Sequence, residues 1–256
     1  MKGRDILIYL SQLYHGDWEK MYDAVQRKQP LEKEEVERTI EMMKGKAITI
    51  IDNDYPENFK HCVRPPLVIY YEGNAELLTK PEKTVAFVGS RIASPYALKK
   101  SYEIGLQMAK ENLILINGVA KGIDKMSMEG LLDGHGQGIG VAGCGLDTIY
   151  PSENNEIFEK LRNTGLLISE YPYGVKPNPR HFPERNRLVV ALSNFVMIGE
   201  IKPKSGTHVT LNHALDMGKS IGVLPFQAGR ETLNNQLIKD GANLIEDVRD
   251  ILEALP

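Results

Sequence analysis

The sequence has few of the features that mark secreted, metal-binding or membrane-spanning proteins. Its two cysteines, Cys62 and Cys144, lie far apart and form no CxxC pair, so neither a disulfide framework nor a zinc site is expected. No apolar run reaches the roughly 18 residues that a bilayer-spanning helix needs, and the start lacks the apolar core and cleavage site of a signal peptide. These absences predict a cytoplasmic protein without a membrane segment.

The signatures of common catalytic sites are also missing. The nucleotide-hydrolysis motif GxxxxGK[ST] is absent, and no Ser/His/Asp order or carboxylate pair stands out for hydrolysis. His208 and His213 are five residues apart, which does not set two metal ligands side by side on a helix. Cys144 has no base near it in sequence, and cysteines are commonly buried. We therefore predict that the protein is not an enzyme and needs no cofactor or metal.

Positive charge is not in excess either. Lysine and arginine together number 31 against 34 aspartate and glutamate residues, which gives a formal net charge of −3 at pH 7. This balance argues against a protein that binds nucleic acid over its whole surface. If the chain binds DNA, its cations must be gathered at one place beside other groups that hold phosphate.

What the sequence does have is a regular alternation of strands and helices. Residues 1–45 predict short helices, because Val36, Ile40 and Met43 recur at helical spacing. From residue 84 onwards, six continuous apolar runs alternate with mostly helical stretches, which predicts an α/β fold with a mostly parallel sheet covered by helices on both faces. We expect a small N-terminal helical domain over residues 1–45 and a larger α/β domain over residues 46–256.

Small and cationic residues follow the predicted strands, where open parallel sheets bind their ligands. After the first of the six strands come Gly89, Ser90 and Arg91. They offer a tight turn, a hydroxyl beside a helix N-terminus and a planar donor fork suited to phosphate. The alternative is an ordinary strand-to-helix turn with an exposed arginine.

A second candidate turn follows the next strand, where residues 117–124 read NGVAKGID. Gly118 and Gly122 flank Lys121 just before a helix that Asp124 is placed to cap. The arrangement is similar to a phosphate cradle, although it matches neither GxGxxG nor a Walker loop. The alternative is a flexible loop.

A third candidate turn follows the fifth strand, where residues 200–207 read EIKPKSGT. Lys204, Ser205 and Gly206 form a basic, small-residue turn that opens a helix and suits an anion. Related Rossmann-like families cleave nucleoside monophosphates with an acid beside a glycine-rich PGGxGT loop, and here Glu200 is the acid at hand, with lysines in place of glycines. A nucleotide sensor or hydrolase is therefore the alternative function.

The densest group of candidate ligands lies in residues 181–187, which read HFPERNR. Arg185 and Arg187 are suited to phosphates, Asn186 adds an amide, and an aromatic or arginine plane can stack on unpaired bases. The alternative is a structural loop in which Arg185 pairs with Glu184 or Glu200. We expect one arginine to be structural and the other to face the ligand.

Taken together, these segments resemble the DNA-processing protein A family, also called DprA or Smf. The match starts near Tyr55-Pro56 and Gly73-Asn74 and covers about three-quarters of the chain in the family's order. It continues through VGSR (88–91), GVAKGID (118–124), GCGLDTIYPSEN (143–154), ISEYPYG (168–174), FPERNR (182–187), SGT (205–207) and LIKDGA (237–242). The resemblance implies an extended Rossmann-like fold, a homodimer, binding and protection of single-stranded DNA, and loading of a RecA-type recombinase, notably in natural transformation. It also assigns Arg91, the arginine of the GSR motif, to the DNA pocket.

The sequence departs from the family at several positions. Ser127 and Met128 stand where the family usually has an Ala-His pair, and Ser152 stands where a lysine often follows the Tyr-Pro of the third loop. The last departure removes one expected phosphate contact, which lysines of the neighbouring turns can replace. A specialised function therefore stays open.

Three apolar residues near the end of the chain, Leu237, Ile238 and Leu244, are candidates for the dimer contact. Ordinary core positions are an equal alternative for them. A third possibility for the function is an interaction scaffold whose pocket has lost its ligand.

Overall fold

Short apolar strands build a nine-stranded sheet in the computed structural model, which describes residues 2–256. The strands are β1 (Lys46–Thr49), β2 (Val68–Gly73), β3 (Thr84–Val88), β4 (Ile114–Asn117), β5 (Gly138–Val141), β6 (Leu166–Ser169), β7 (Phe195–Ile198), β8 (Ser220–Val223) and β9 (Asn243–Leu244). Their spatial order is β1-β2-β6-β5-β4-β3-β7-β8-β9. In this spatial order, every pair of neighbouring strands from β6 through β3 to β9 is parallel, whereas β2 is antiparallel to both β1 and β6. The predicted α/β fold with a mostly parallel sheet is confirmed.

Helices connect the strands and precede them. They are α1 (Gly3–Leu13), α2 (Trp18–Gln26), α3 (Lys33–Met42), α4 (Glu57–Lys60), α5 (Pro95–Lys110), α6 (Ile123–Asp133), α7 (Asn155–Thr164), α8 (His181–Leu192), α9 (Thr207–Asp216), α10 (Asn234–Lys239) and α11 (Val248–Ala254). Among the described residues, no helix combines the length and apolar character that a membrane crossing requires.

The sheet is buried on both faces, which explains why its strands are continuous apolar runs rather than alternating ones. In β3, Val85 and Phe87 belong to one hydrophobic cluster, and Ala86 and Val88 belong to the other. The first cluster is completed by α1, α2, α5, α6, α7 and α11, and the second by α4, α8, α9 and α10. The sheet therefore forms the centre of a three-layer arrangement.

The N-terminal helices pack on the same sheet. Leu10 of α1 and Met21 of α2 lie in the first cluster together with Tyr70 of β2. The Tyr70 hydroxyl donates a hydrogen bond of 3.1 Å to the Ser11 hydroxyl. The predicted N-terminal helices are thus present, and the division of the chain into domains after residue 45 stays a prediction.

The order of the strands creates a crevice next to β3. From β3 the chain steps through β4, β5 and β6 to one side, then returns to lay β7 against the other edge of β3. Loops after β3 and β7 therefore leave the sheet in opposite directions, which is the arrangement that places ligand sites in open α/β folds. The two loops remain joined by a hydrogen bond from the Ser90 amide to the Glu200 carbonyl, 2.8 Å long.

Candidate nucleic-acid interface

A cavity of about 690 Å³ lies at this crevice, bounded by the turns after β3 and β7 and by the start of α8. Four cationic side chains line it: Arg91, Arg185, Lys202 and Lys204. Asp124 is the single carboxylate among the lining residues. The cavity is thus locally basic although the whole chain carries a net charge of −3, which is the local concentration of charge that DNA binding requires.

Arg91 is the most available of these cations. Its side chain is exposed, and it forms no ion pair among the residues that the structure describes. The guanidinium carbon lies 5.4 Å from the centre of the Phe182 ring, a cation–π contact that orients the group and leaves its N–H donors for a ligand. The resemblance assigned Arg91 to the DNA pocket, and the structure places it in the cavity wall.

The turn that carries Arg91 is held by its own residues. The Ser90 hydroxyl donates to the Ile92 carbonyl at 2.9 Å, so this hydroxyl is engaged within the turn. A Cβ added to Gly89 would lie 2.6 Å from Cγ1 of Ile123. Gly89 is therefore needed for the close approach of α6 rather than for the sharp turn that we predicted.

The turn after β4 packs directly against this one. Gly122 has a φ of +75°, and an added Cβ would lie 2.3 Å from the Ser90 carbonyl oxygen. Asp124 does not cap α6, since Gly122 occupies the capping position. Instead the Asp124 carboxylate accepts a 3.0 Å hydrogen bond from the Gly118 amide, which ties the turn to its own strand.

Lys121 lies beside the main cavity rather than in it. It lines a smaller cavity of about 50 Å³ that shares Arg91 and Arg185 with the main one. Its ammonium forms an ion pair with Glu153. Both side chains of this pair are about half exposed, so the pair is weak.

Arg185 is buried, at 4% exposure, and crosses over the Gly118 backbone. It donates hydrogen bonds to the carbonyls of Gly118, at 2.9 Å, and Val141, and its Nε donates to the Asn186 side chain at 3.1 Å. Burial lowers the pKa of Arg185 to about 10, while the nearby Asp124 carboxylate acts in the opposite direction. The group therefore stays charged at neutral pH.

Arg187 is also buried, but it lies outside the cavity wall. Its Nη2 donates to Oε1 of Glu170 at 2.7 Å, and both side chains are less than a tenth exposed. The structural-loop alternative for residues 181–187 is wrong, because these residues form the first turns of α8. Arg187 was a predicted DNA contact, and the structure instead places it in an internal ion pair.

The turn after β7 supplies the opposite wall of the cavity. Lys204 is exposed and forms no ion pair among the residues described. Lys202 donates to the Ile92 carbonyl at 2.7 Å, which links the two walls. Ser205 uses its hydroxyl to accept from the Thr207 amide at 3.1 Å, and Gly206 lines the cavity at the start of α9.

Glu200, the candidate acid of a hydrolase, has a structural role at the start of α5. It is 1% exposed, and its Oε2 accepts from the Ser94 amide at 2.7 Å and from the Ser94 hydroxyl at 2.6 Å. Ser94 in turn caps α5 by accepting from the Ala97 amide at 3.3 Å. The carboxylate thus completes a helix N-terminus.

The other residues that the sequence analysis singled out lie away from the cavity. Ser127 and Met128 are fully buried in α6, and Ser152 is exposed outside both cavities. Burial raises the pKa of Cys144 to about 11, which keeps this thiol a poor nucleophile. No group of three His, Cys, Asp or Glu side chains is arranged to hold a metal within residues 2–256.

The three candidate dimer residues have different environments. Leu237 and Ile238 are partly buried against the second hydrophobic cluster. Leu244 is 46% exposed and belongs to β9, the edge strand of the sheet.

One lining residue, Tyr150, was not among the site residues predicted from the sequence. Tyr150 and Phe182 line both cavities, and their rings stack with centres 5.2 Å apart and planes at 27°. Phe182 is the aromatic of residues 181–187 for which the sequence predicted stacking on unpaired bases. Tyr150 follows β5, so its position at the carboxyl edge of the sheet was the available signal.

A family model described as DNA recombination-mediator protein A matches residues 46–256. The chain belongs to this family. It is 34% identical over 214 residues to DNA processing protein DprA of Streptococcus pneumoniae, which covers 83% of this chain and 75% of that protein. It is also 34% identical to protein Smf of Synechocystis, of which it spans 53%. The DprA/Smf resemblance drawn from the motifs is confirmed.

Solved structures of the DprA family share this fold. The crystal structure of DprA from Streptococcus pneumoniae has a TM-score of 0.81 and 27% identity, covering 100% of this chain and 94% of that one. A DprA structure from Helicobacter pylori, described as giving its single-stranded DNA-binding mode, has a TM-score of 0.74 and 30% identity, covering 84% and 98%. DprA family proteins act as DNA-binding recombination mediators and not as enzymes.

Proposed function

We propose that this protein binds single-stranded DNA in the cavity between the turns after β3 and β7, as a homodimer that protects the strand and loads a RecA-type recombinase onto it. The observation that carries the proposal is the gathering of four cationic side chains at the crevice beside β3, where Asp124 is the single lining carboxylate and, within the described part of the chain, only Lys202 is ion-paired, with Glu200 at 3.5 Å. The Helicobacter pylori relative, described as binding single-stranded DNA, adds support.

The exposed cations make the first contacts with the phosphates. Arg91 and Lys204 lie on opposite walls of the cavity and are free of carboxylate partners among the residues described. Arg185 forms the floor. Burial lowers its pKa, the Asp124 carboxylate opposes this, and the like charge of Arg91 lowers the pKa further, so the two guanidinium groups repel each other. A phosphate between them relieves this repulsion and gains charge-assisted hydrogen bonds.

The proposal predicts a preference for single strands that depends on the cavity cations. Fluorescence anisotropy with a labelled oligothymidine and a duplex of equal length measures both affinities. We expect the Arg91→Ala/Lys204→Ala double variant to lose at least about a hundredfold in single-strand affinity, since two contacts are removed and each contact to a charged group is worth about 1.5–3 kcal/mol.

The matched control removes two lysines at the other end of the sheet. Lys83 directly precedes β3 and Lys110 ends α5, so both lie at the amino edge of the strands. The Lys83→Ala/Lys110→Ala variant changes the net charge equally and is expected to bind like the wild type. Equal losses in the two double variants would contradict a local site.

Recombinase loading is the finer part of the proposal, and it has a separate test. A RecA-type recombinase is added to single-stranded DNA already coated with a single-strand-binding protein, and its DNA-dependent ATP hydrolysis is followed. We expect this protein to shorten the lag before hydrolysis begins, and the Arg91→Ala/Lys204→Ala variant to leave the lag unchanged. An undiminished lag with the wild-type protein would contradict loading.

The dimer is proposed to form along the edge that ends in β9. Leu244 is the exposed apolar residue there, and an exposed sheet edge favours pairing with another copy. Light scattering coupled to size-exclusion chromatography is expected to give a dimer for the wild type and a monomer for Leu244→Asp. A monomeric wild-type protein, or a dimeric Leu244→Asp variant, would contradict this arrangement.

A further inference from the structure

A small aromatic group stands at the mouth of the cavity. Tyr150 stacks on Phe182, whose ring also receives the Arg91 guanidinium. These two rings are the aromatic side chains among the residues that line the main cavity. Tyr150 is 46% exposed although one side of its ring is covered by Phe182, so much of the remaining ring surface faces solvent.

Phe182, one of the two rings of this stack, is held firmly in place. Phe182 lies in the first turn of α8 and packs so closely on Gly143 that an added Cβ there would come within 2.9 Å of its Cδ1. The preceding residue, His181, stacks on Tyr171 with ring centres 4.0 Å apart and donates from Nδ1 to the Gly143 carbonyl at 3.1 Å. Phe182 is therefore a fixed support on which Tyr150 rests.

Tyr150, the other ring of the stack, keeps its hydroxyl available for a ligand. The Tyr150 hydroxyl forms no hydrogen bond with any of the residues described. An exposed tyrosine that is stacked on one side, free at its hydroxyl and placed beside a basic cavity combines the two parts of single-strand recognition, a charged groove and a stacking platform.

We propose that Tyr150 is the stacking site for one unpaired base, whose adjoining phosphate is held by Arg91. This inference rests on the proposed function, and it names the residue that selects single strands at the same cavity. In a duplex each base is covered by its neighbours on both faces, whereas an unpaired base can leave the stack and lie against an aromatic ring. Arg91 and Tyr150 contact the same Phe182 ring, so a phosphate and its own base reach both together.

The experiment separates stacking from phosphate binding by removing bases from the ligand. Affinities are measured for oligothymidine and for an oligonucleotide of equal length made of abasic sites, whose phosphates are unchanged. We expect Tyr150→Leu to bind oligothymidine about tenfold more weakly than the wild type, as base–aromatic stacking usually implies. Both proteins are expected to bind the abasic strand equally, with the same salt dependence.

Two control variants make the result specific. Tyr150→Phe keeps the ring and is expected to bind like the wild type. Tyr22 is an equally exposed tyrosine, stacked on Trp18 at 4.8 Å in α2 and outside both cavities, so Tyr22→Leu is expected to change neither affinity. Equal binding of the abasic strand also shows that the Tyr150→Leu protein is folded.

The outcomes distinguish this inference from the proposed function. If Tyr150→Leu binds oligothymidine within twofold of the wild type while both show a salt-dependent affinity, the stacking site is overturned and single-strand binding stands. If Tyr150→Leu weakens binding to both ligands alike, the ring shapes the cavity rather than holding a base, and the inference is again overturned. A wild-type protein that binds neither ligand overturns both.

Discussion

Two arginines in one helix show how residue position decides role. Arg185 and Arg187 are two residues apart in α8, a spacing of about 200° around a helix, so they point in opposite directions. One reaches the cavity floor across Gly118, and the other meets Glu170 inside the fold. Composition could not separate them, because both are cations in the same motif and the partner carboxylate comes from a distant loop.

The internal pair predicts a stability effect without a direct contact to DNA. Removing Arg187 by Arg187→Ala leaves the buried Glu170 carboxylate unpaired and is expected to cost about 3–5 kcal/mol in the free energy of unfolding. Urea denaturation measures it. The Glu170→Leu/Arg187→Met double variant is expected to recover most of the loss, since an apolar pair leaves no buried charge. A loss below 1 kcal/mol in Arg187→Ala would contradict the pairing.

A single methyl group is expected to disturb the cavity floor. An added Cβ at Gly118 would lie 2.2 Å from Nη2 of Arg185, so Gly118→Ala must displace this guanidinium. We expect single-strand affinity to fall by about tenfold, comparable with the loss of one charged hydrogen bond. Gly3→Ala is the control, because its added Cβ meets only the end of the exposed Ile51 side chain, at 3.0 Å, and Gly3 lines neither cavity. Similar affinities of the two variants would contradict the role of Arg185.

At the scale of elements, the alternation of strands and helices was readable from the sequence, whereas their spatial order was not. Each strand from β3 to β8 is a local apolar run that ends near a turn residue, so its existence is a local property. The antiparallel edge of β1 and β2 and the return of the chain to β7 depend on distant pairings. The start of α8 was missed because its first turns carry a proline and buried arginines, which hide the helical period.

The N-terminal helices are expected to unfold together with the sheet. Leu10 is 1% exposed in the cluster that it shares with β2, so Leu10→Ala is expected to cost about 2–5 kcal/mol. Trp18, the sole tryptophan of the chain, reports locally from α2, while far-ultraviolet circular dichroism reports on all helices. Coincident urea transitions for both signals are expected. An earlier Trp18 transition would instead support an independent N-terminal domain.

At the scale of the whole molecule, stability is expected to fall in mild acid. Burial lowers the pKa of His181 and of His213 below the ordinary value of 6.5, so the folded protein binds these protons more weakly than the unfolded chain. Unfolding therefore takes up protons, and the free energy of unfolding decreases as the pH falls below about 6.5. Urea midpoints at pH 7.5 and 6.0 measure this. The decrease should be smaller in His213→Leu, and an unchanged decrease would contradict the assignment.

The fold also explains how a chain with a negative net charge can bind DNA. The strand order brings turns that are more than a hundred residues apart in sequence to one crevice, and their cations meet there. The sequence indicated each turn separately through its glycines and basic residues. It did not indicate that Lys121 would form an ion pair with Glu153, or Arg187 with Glu170. The partners of a charged group are set by packing.

The salt dependence of single-strand affinity tests the convergence of cations most directly. For about 3–5 phosphate contacts, the logarithm of the binding constant should fall against the logarithm of salt concentration with a slope of roughly −2 to −4. The Arg91→Ala/Lys204→Ala variant removes two contacts, and its slope should be shallower by about 1.4. A wild-type slope near zero, or identical slopes for the two proteins, would contradict a phosphate site in this cavity.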